Sequence, residues 1–434
     1  MRDVFIVGVG MTKFGVQPDI SSAELARNAV KAALADARAT VADVDAAFYA
    51  NTVGGAIEEQ YGMKGQHALR AMGIQGGPLY NVENACAGGA TAFNLAVTQV
   101  GAGLTDVALA VGTEKLNTDD REKRARSFGQ PMDIAAMKLF LERIGPTVAD
   151  IKPPPDAQID PKMFSLFMEG YAIQAKAHMK KFGTTVRQIA AVAAKNHHHS
   201  IHSPLAQFQR DFTIEEILAA KIIAWPLTLP MCSPISDGAA AVLVCSKEAL
   251  ARFDGKRAVK VLASVLKGGS DREFDQREKG CGRRAATAAY EIAGIGPKDV
   301  SVAEVHDGSA YGEIAQLESC MLVPLGEGGP AAERGETSIG GRIPVNTAGG
   351  LESRGHLSSL RPKLSPQLAA IQGVIRKRVL SRVRTRRPVR LQRGVIKAVC
   401  TVPQSATVAR PKQFDQPLAW APRDLSDGLD PGFG

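Results

Sequence analysis

Apolar segments with the period of strands alternate along this chain with Ala-rich segments that have the period of helices. The run over residues 4–9 is strand-like, and serines at 21 and 22 then precede a periodic helix through Ala37. Further strands are predicted at 44–51, 79–82, 107–111, 239–245, 258–264 and 300–305, and further helices at 85–100 and 282–293. This alternation predicts an α/β fold with a mainly parallel sheet covered by helices on both faces.

The chain of 434 residues is long enough for two similar α/β units. We predict an N-terminal half over 1–250, with an inserted subdomain at about 117–224 that is rich in helices and charged clusters. The order of elements over 258–356 resembles that of the first half and predicts an incomplete second half. Residues 357–434 show little α/β periodicity and are expected to form an irregular, basic tail.

The net charge of +9 is concentrated in that tail. Residues 357–434 hold 15 Lys and Arg against four Asp and no Glu, a balance of +11, which leaves residues 1–356 near −2. A nearly neutral body does not predict a nucleic-acid partner. The chain contains no apolar run of about 18 residues, so no membrane span is expected. Six cysteines without paired spacing, and no secretory signal, predict a cytoplasmic protein with reduced thiols.

Residues 79–93 read as a strand, a tight turn, Cys86 and a helix of small residues. Cys86 is therefore expected at a helix N-terminus, where the helix dipole and free N–H groups favour a thiolate and can bind an oxyanion. Taken alone, the segment equally fits a small buried thiol with glycines chosen for packing.

Two histidines lie in predicted loops of the second half. His306 comes just after an apolar strand, where α/β active sites lie, and His356 ends the Gly-rich segment 346–356. Each alone is typical of a hydrogen-bonded structural imidazole. Together with Cys86 they form a plausible nucleophile system, in which His356 takes the thiol proton while His306 polarises a carbonyl.

These motifs resemble the thiolase superfamily, in particular its sterol-carrier-protein type. That type has a Cys at a strand-to-helix turn, a His-Asp dipeptide in the second half and a Gly-Gly…Gly-His loop. The resemblance extends over residues 1–356 in family order and is also carried by 195–197, 204–208, 234–241 and 326–329. It implies a thiolase fold of two βαβαβαββ halves in a layered αβαβα arrangement, with an inserted loop subdomain.

The resemblance also implies an activity and a site. Cys86 corresponds to the family's nucleophile, His356 to the histidine that activates it and His306 to the oxyanion-hole histidine. The implied enzyme is an acyl-CoA C-acyltransferase acting on 3-ketoacyl-CoA or acetyl-CoA through a Cys86 thioester, in fatty-acid or sterol side-chain metabolism. Coenzyme A is then a substrate, and no cofactor or metal is expected. A homodimer or homotetramer is implied, with a small lipid-transfer or acyl-binding protein as a further partner.

Two groups of residues are candidates for substrate binding. The loop glycines Gly349 and Gly350 are expected to help build the acyl site. Four basic side chains of the insertion are expected to attract the phosphates of coenzyme A, namely Arg121, Lys123, Arg124 and Arg126. A charge run of this kind is more often a solvated face.

The chain departs from the family at the second acid/base. The sterol-carrier type has a Cys directly after His-Asp, whereas this chain has Gly308, and no Cys-x-Gly triplet lies near Cys400. Tyr311 is a conceivable substitute acid, with a packed aromatic as the other interpretation. The departure keeps open a thiolase-fold aldolase or hydrolase without Claisen chemistry, and a non-catalytic acyl-CoA or lipid-binding protein.

A second departure follows His356, where the family's Pro-x-Gly-Ala-Thr-Gly-x-Ala-Gln is replaced by an unrelated run. One hypothesis is a basic tail, and the other is a one-base frameshift. Codons read across the residue boundaries permit the family's Pro, Ala, Thr, Ala and Gln at the family spacing, although two glycines are not recovered.

Histidines 197–199 and 202 form a cluster in the sequence. They lack cysteines or carboxylates at ligand spacing, so no metal site is predicted there.

Overall fold

The computed structural model describes residues 1–129, 133–155, 157, 159, 165–270, 272–356 and the backbone of 394–400. Within these residues the strands are β1 (Val4–Met11), β2 (Ala46–Ala50), β3 (Leu79–Val82), β4 (Val107–Glu114), β5 (Ile222–Ala224), β6 (Leu227–Thr228), β7 (Gly238–Ser246), β8 (Val259–Lys267) and β9 (Gly394–Cys400). The helices are α1 (Ser22–Ala37), α2 (Gly54–Glu58), α3 (Lys64–Leu69), α4 (Gly88–Gly101), α5 (Arg121–Gly129), α6 (Ile134–Ile144), α7 (Leu166–Phe182), α8 (Val186–Ser200), α9 (Ile214–Leu218), α10 (Cys281–Ala293), α11 (Ala310–Ser319), α12 (Gly328–Glu333) and α13 (Gly350–Arg354).

Seven of these strands form one mixed sheet in the order β3-β2-β4-β7-β1-β8-β9. The pairs β2–β3, β2–β4 and β8–β9 are parallel, whereas β4–β7, β1–β7 and β1–β8 are antiparallel. The prediction of a mainly parallel sheet is therefore wrong. A parallel pair requires a crossover that returns the chain to the same end of the sheet, and β7 instead enters after the long insertion, from the opposite end.

Helices cover both faces of the sheet, as predicted. On one face α1 packs on side chains such as Leu109 and Leu243, and on the other α4 packs Phe93 near Phe48. The approach of α1 is close, because a Cβ atom at Gly10 would lie 2.1 Å from a backbone oxygen of that helix. The Cys-bearing turn is thus held between β3 and a helix that is itself fixed on the sheet.

The predicted insertion at about 117–224 is mainly helical, as the sequence predicts, and contains α5 to α9 and β5, which pairs with β6 just beyond it. Its buried core joins α7 and α8 to α11, which follows the His306 segment. The insertion therefore supports the loops of the second half.

Residues 300–305 do not form the predicted strand in the part of the chain that the structure describes. Only Ala303 pairs there, in a single bridge to Val345, and a strand needs a ladder of such partners. Beyond them, β9 lies in the region expected to be irregular, and its Val395, Ile396 and Val399 are residues that favour strands. The rest of 357–434 lies outside the described residues, and the duplication of two halves stays a prediction.

None of the helices in the described ranges combines the length and the apolar character needed to cross a membrane.

Candidate active site

Cys86 lies in the turn that joins β3 to α4. Residues 85–87 form a 3-10 turn immediately before the helix, and Ala85 has a positive φ of 41°. The carboxylate of Glu83 accepts hydrogen bonds from the Ala85 N–H at 2.7 Å and from the Thr52 hydroxyl at 3.1 Å. The predicted sequence of strand, tight turn, Cys and helix is confirmed, although the α-helix begins two residues after Cys86.

Cys86 is partly exposed, but the surroundings of its Sγ atom favour the neutral thiol. Burial, followed by the nearby carboxylate of Glu114 and then that of Glu83, raises the pKa of Cys86 to about 12, against a lowering by its own backbone N–H. The backbone N–H at the helix terminus favours the thiolate, as predicted, but desolvation and two negative charges outweigh it. Any nucleophilic step at Cys86 therefore needs a base.

Glu114 is a buried acidic residue whose role the sequence analysis did not identify. It ends β4 and accepts hydrogen bonds from the Val53 N–H at 3.1 Å and from the Asn51 side chain at 3.3 Å. The available signal was an acid at the end of an apolar strand, a place where a carboxylate is costly unless it is hydrogen-bonded.

His306 and His356 meet at Cys86. The Sγ atom of Cys86 and one ring nitrogen of each histidine all lie within 4.8 Å of one another. The two Nε2 atoms are 3.3 Å apart, and the rings are close to perpendicular, at 87°. The structure thus brings the three predicted residues together from separate parts of the chain.

Asp307 joins the two histidine loops. Its carboxylate accepts the backbone N–H of Leu351 at 3.0 and 2.9 Å, next to Gly350 at the start of α13. A Cβ atom at Gly350 would lie 1.8 Å from this carboxylate, and Gly350 has a φ of +61°. Gly349, with a φ of +97°, similarly faces Ser200. Close approach explains both glycines, and their binding of substrate stays a prediction.

A buried network of hydrogen bonds and one ion pair surrounds the contact between the two histidine loops. The Asn196 side-chain amide donates to Glu313 at 3.1 Å, to Glu352 at 3.0 Å and to Asp307 at 3.3 Å. The ammonium of Lys195 pairs with Glu313. Burial raises the pKa of both Glu313 and Glu352. Lys195 and Asn196 of the Lys-Asn-His motif therefore stabilise the loops that carry His306 and His356.

The His356 segment is also held by backbone contacts. Gln207 and Phe208 donate their N–H groups to the carbonyls of Arg354 and Ser353, at 3.1 and 2.9 Å, and Ile235 bridges to His356. These contacts fix the backbone from Ser353 to His356.

The basic residues of α5 are partly engaged within the protein. Lys123 pairs with Glu59 at 3.0 Å, and the Arg124 guanidinium donates to the carbonyl of Thr118. Arg126 is exposed, and the side chain of Arg121 lies outside the described part of the chain. Phosphate binding by these residues stays a prediction.

Tyr311 is a packed aromatic residue. It is 1% exposed, its oxygen accepts a hydrogen bond from Arg277 at 3.0 Å, and its ring meets the edge of His178. Burial raises the pKa of Tyr311. These contacts favour the structural interpretation over that of a substitute acid.

The histidine cluster on α8 is also engaged. His197 contacts Ser353 at 2.7 Å and the carbonyl of Pro230 at 3.0 Å, and His199 contacts the carbonyl of Asn346 and the N–H of Ile339. Both ring nitrogens of each are used, and the absence of a metal stays a prediction.

The cysteines are not all free. Cys281 is disulfide-bonded, contrary to the expectation of reduced thiols.

Family models and relatives agree on one family. The N-terminal domain of thiolase matches residues 4–218, and the thiolase C-terminal domain-like model matches 273–361. Bovine (Bos taurus) "Sterol carrier protein 2" is 34% identical over 81% of this chain and 63% of its own length. This chain thus spans less than two thirds of that relative.

Two further proteins match this chain over a larger share of their own length. "Acetyl-CoA acetyltransferase" of Methanothermobacter thermautotrophicus is 34% identical over 82% of this chain and 87% of its own length. The solved "Ltp2-ChsH2(DUF35) aldolase" superposes with a TM-score of 0.62 at 21% identity, over 81% of this chain and 86% of that one, and shows the same fold. With a Cys at the strand-to-helix turn, two histidine loops around it and matches to both domain models, this chain belongs to the thiolase family.

Proposed function

We propose that this protein is an acyl-CoA C-acyltransferase of the thiolase type, which carries the acyl group as a thioester on Cys86. The observation that carries the proposal is the meeting of Cys86 with His306 and His356 within 4.8 Å. The relative named acetyl-CoA acetyltransferase supports the same class of substrate.

The neutral thiol determines how the reaction begins. A pKa of about 12 leaves little thiolate at neutral pH, so His356 removes the proton as Sγ attacks the substrate carbonyl. His306 donates a hydrogen bond to the oxygen of that carbonyl as it becomes negative. Collapse of the tetrahedral adduct expels either coenzyme A or, from a 3-ketoacyl-CoA, the carbanion of the acetyl-CoA unit.

The substrate is a 3-ketoacyl-CoA or acetyl-CoA, in fatty-acid or sterol side-chain metabolism. Coenzyme A is a substrate in this scheme, and no cofactor takes part. The basic residues of α5 attract its phosphates, and Gly349 and Gly350 shape the acyl site. The protein works in the cytoplasm as a homodimer or homotetramer, with a small acyl-binding or lipid-transfer protein as a further partner.

Mass spectrometry after incubation with acetyl-CoA tests the proposal. We expect one acetyl group, on the peptide that contains Cys86, and no adduct in Cys86→Ser. His356→Ala should slow formation of the adduct by roughly 100-fold or more, because general-base catalysis is lost. Cys320→Ser, which removes another partly exposed thiol, is the matched control. An adduct on a different residue would refute the assignment.

An aldolase is the second candidate function. Gly308 in place of the second Cys, and the fold shared with a solved aldolase, favour it. Thiolysis of a 3-ketoacyl-CoA and retro-aldol cleavage of a 3-hydroxyacyl-CoA, measured on the same preparation, distinguish the two enzymes.

A further inference from the structure

Tyr171 occupies the space that a side chain at position 308 would take. A Cβ atom at Gly308 would lie 2.8 Å from Oη and 3.3 Å from Cζ of Tyr171, and 3.1 Å from Cε1 of His306. The phenol tip and the His306 ring therefore border the same point, next to the Cys86 cluster. We propose that the Tyr171 hydroxyl is the acid that protonates the α-carbon when the substrate's carbon–carbon bond breaks, an inference that rests on the proposed function.

The backbone around this point is fixed on both sides. The Gly308 carbonyl accepts hydrogen bonds from the N–H of Ser233 at 3.2 Å and from its hydroxyl at 3.0 Å. The Tyr171 ring is half-buried on α7 within the cluster that contains Ala310 and Ile314. A Cβ atom at Gly312 would meet Cε1 of the same ring at 3.4 Å. The glycines at 308 and 312 thus leave a slot that the tyrosine fills.

The chemistry needs an acid at this place only for one kind of leaving group. When acetyl-CoA acylates Cys86, the leaving group is a thiolate, which is stable without a proton because a thiol has a pKa of roughly 8.5. When a 3-ketoacyl-CoA acylates Cys86, the leaving group is a carbanion, which is far more basic. Carbon–carbon cleavage therefore requires a proton donor that simple thioester exchange does not require.

The proton balance closes over one turnover. His356 takes the Cys86 proton, Sγ bonds to the keto carbon, and the carbon–carbon bond breaks as the α-carbon takes the proton of the Tyr171 hydroxyl. The phenolate then accepts the proton of the incoming coenzyme A thiol, whose pKa is lower than the roughly 10 of a phenol. The new thiolate releases the acyl group, and Cys86 recovers its proton from His356.

Single-turnover acylation of Cys86 by two substrates tests the inference. In Tyr171→Phe we expect acylation from a 3-ketoacyl-CoA to slow by roughly 100-fold or more, the scale of general-acid catalysis. Acylation from acetyl-CoA should change by less than about threefold, because its thiolate leaves without an acid. Equal slowing with both substrates would mean a structural role, and unchanged cleavage would also overturn the proposal.

Substitutions at position 308 give an independent readout. Gly308→Ala should displace the phenol and slow cleavage more than acylation from acetyl-CoA, although Tyr171 is intact. Its Cβ would also lie 3.1 Å from Cε1 of His306, and a displaced His306 would instead slow both acylations equally. In the Tyr171→Ala background, Gly308→Cys has room for a thiol and should restore part of the cleavage rate, whereas Gly308→Ser should restore less because a hydroxyl is the weaker acid. No recovery by the cysteine, in a variant that still forms the acetyl adduct, would contradict the proposed site.

Tyr311→Phe is the matched control, since it removes the other phenol of this region. We expect it to change both acylation rates equally. If it alone slowed cleavage selectively, Tyr311 would be the acid and the proposal would be wrong. If the wild-type protein formed no adduct with acetyl-CoA, the proposed function would fail. If the wild type cleaved 3-ketoacyl-CoA and Tyr171→Phe did so at the same rate, only the role of Tyr171 would fail.

Discussion

The proton on Cys86 is set by its surroundings, of which the helix terminus is only one part. Burial removes the solvation that a thiolate needs, and Glu114 adds a negative charge that is itself held by the backbone of residues 52 and 53. The sequence predicts that Cys86 lies at a strand-to-helix turn. It does not predict the protonation state of the thiol, because Glu114 is near in space but belongs to a different strand.

Neutralising Glu114 should make Cys86 more reactive towards an alkylating reagent. In Glu114→Gln the negative charge is lost, so the pKa of Cys86 falls, and the thiolate fraction at pH 8 rises by up to about tenfold for each unit of pKa. Glu83→Gln should have a smaller effect, since Glu83 contributes less to the raised pKa. The measurement is the rate of iodoacetamide modification as a function of pH.

The mid-point of that pH profile is the decisive quantity. In the wild-type protein the rate should still be rising at the highest pH at which the protein stays folded, and in Glu114→Gln the profile should move to lower pH. Thermal unfolding of both variants shows whether the hydrogen bonds to the backbone survive the change. Identical profiles in folded Glu114→Gln and wild type would refute the electrostatic role of Glu114.

At the scale of elements, the predictable part of the site is the part that is local in sequence. The strand at 79–82 and its turn to Cys86 follow from adjacent residues, and the structure has them in place. The contact of Asp307 with Gly350 joins two loops, and the strand expected at 300–305 depends on partners elsewhere. Such features need the tertiary arrangement, which single-segment patterns do not contain.

Gly350→Ala should disrupt the junction of the two histidine loops. The new Cβ would lie 1.8 Å from the Asp307 carboxylate, so α13 or Asp307 must move, and His356 with it. We expect a loss of about 2–5 kcal/mol in the free energy of unfolding, from positive φ and overpacking together. Urea unfolding measures this loss, and Cys86 acylation should fall by more than about tenfold.

Gly294→Ala is the control for the conformational part of that loss. Gly294 has a nearly equal φ of +66° but no atom within 4 Å of its Cβ position, against +61° at Gly350. It should cost only about 1–2 kcal/mol and leave acylation unchanged. If the two variants lost the same stability and kept the same activity, the close contact of Gly350 with Asp307 would not contribute to acylation.

At the scale of the molecule, the alternation of strands and helices was enough to predict an α/β fold with both faces covered. It did not predict the direction of β7 and β8, because chain direction is set by the length and path of connections and not by the strands themselves. The end of the family pattern, immediately after His356, is indicated by the motifs and not by this alternation.

Restoring the reading frame after His356 should give a better enzyme than the chain as written. The Nε2 atom of His356 lies 3.3 Å from that of His306, and the same ring reaches Cys86, so the position of its backbone matters for the site. We expect the family's Pro-x-Gly-Ala-Thr-Gly segment to hold that backbone better than the basic run from residue 357, which does not follow the family. We expect at least roughly tenfold faster acylation of Cys86, equivalent to about 1.4 kcal/mol, and a higher melting temperature.

The gene's nucleotide sequence is the first check, because one base inserted near codon 357 must open a frame that ends in a Gly-Gly loop. Should both proteins then melt and react alike, the residues after His356 would be irrelevant to the site, and the frameshift hypothesis would lose its physical basis.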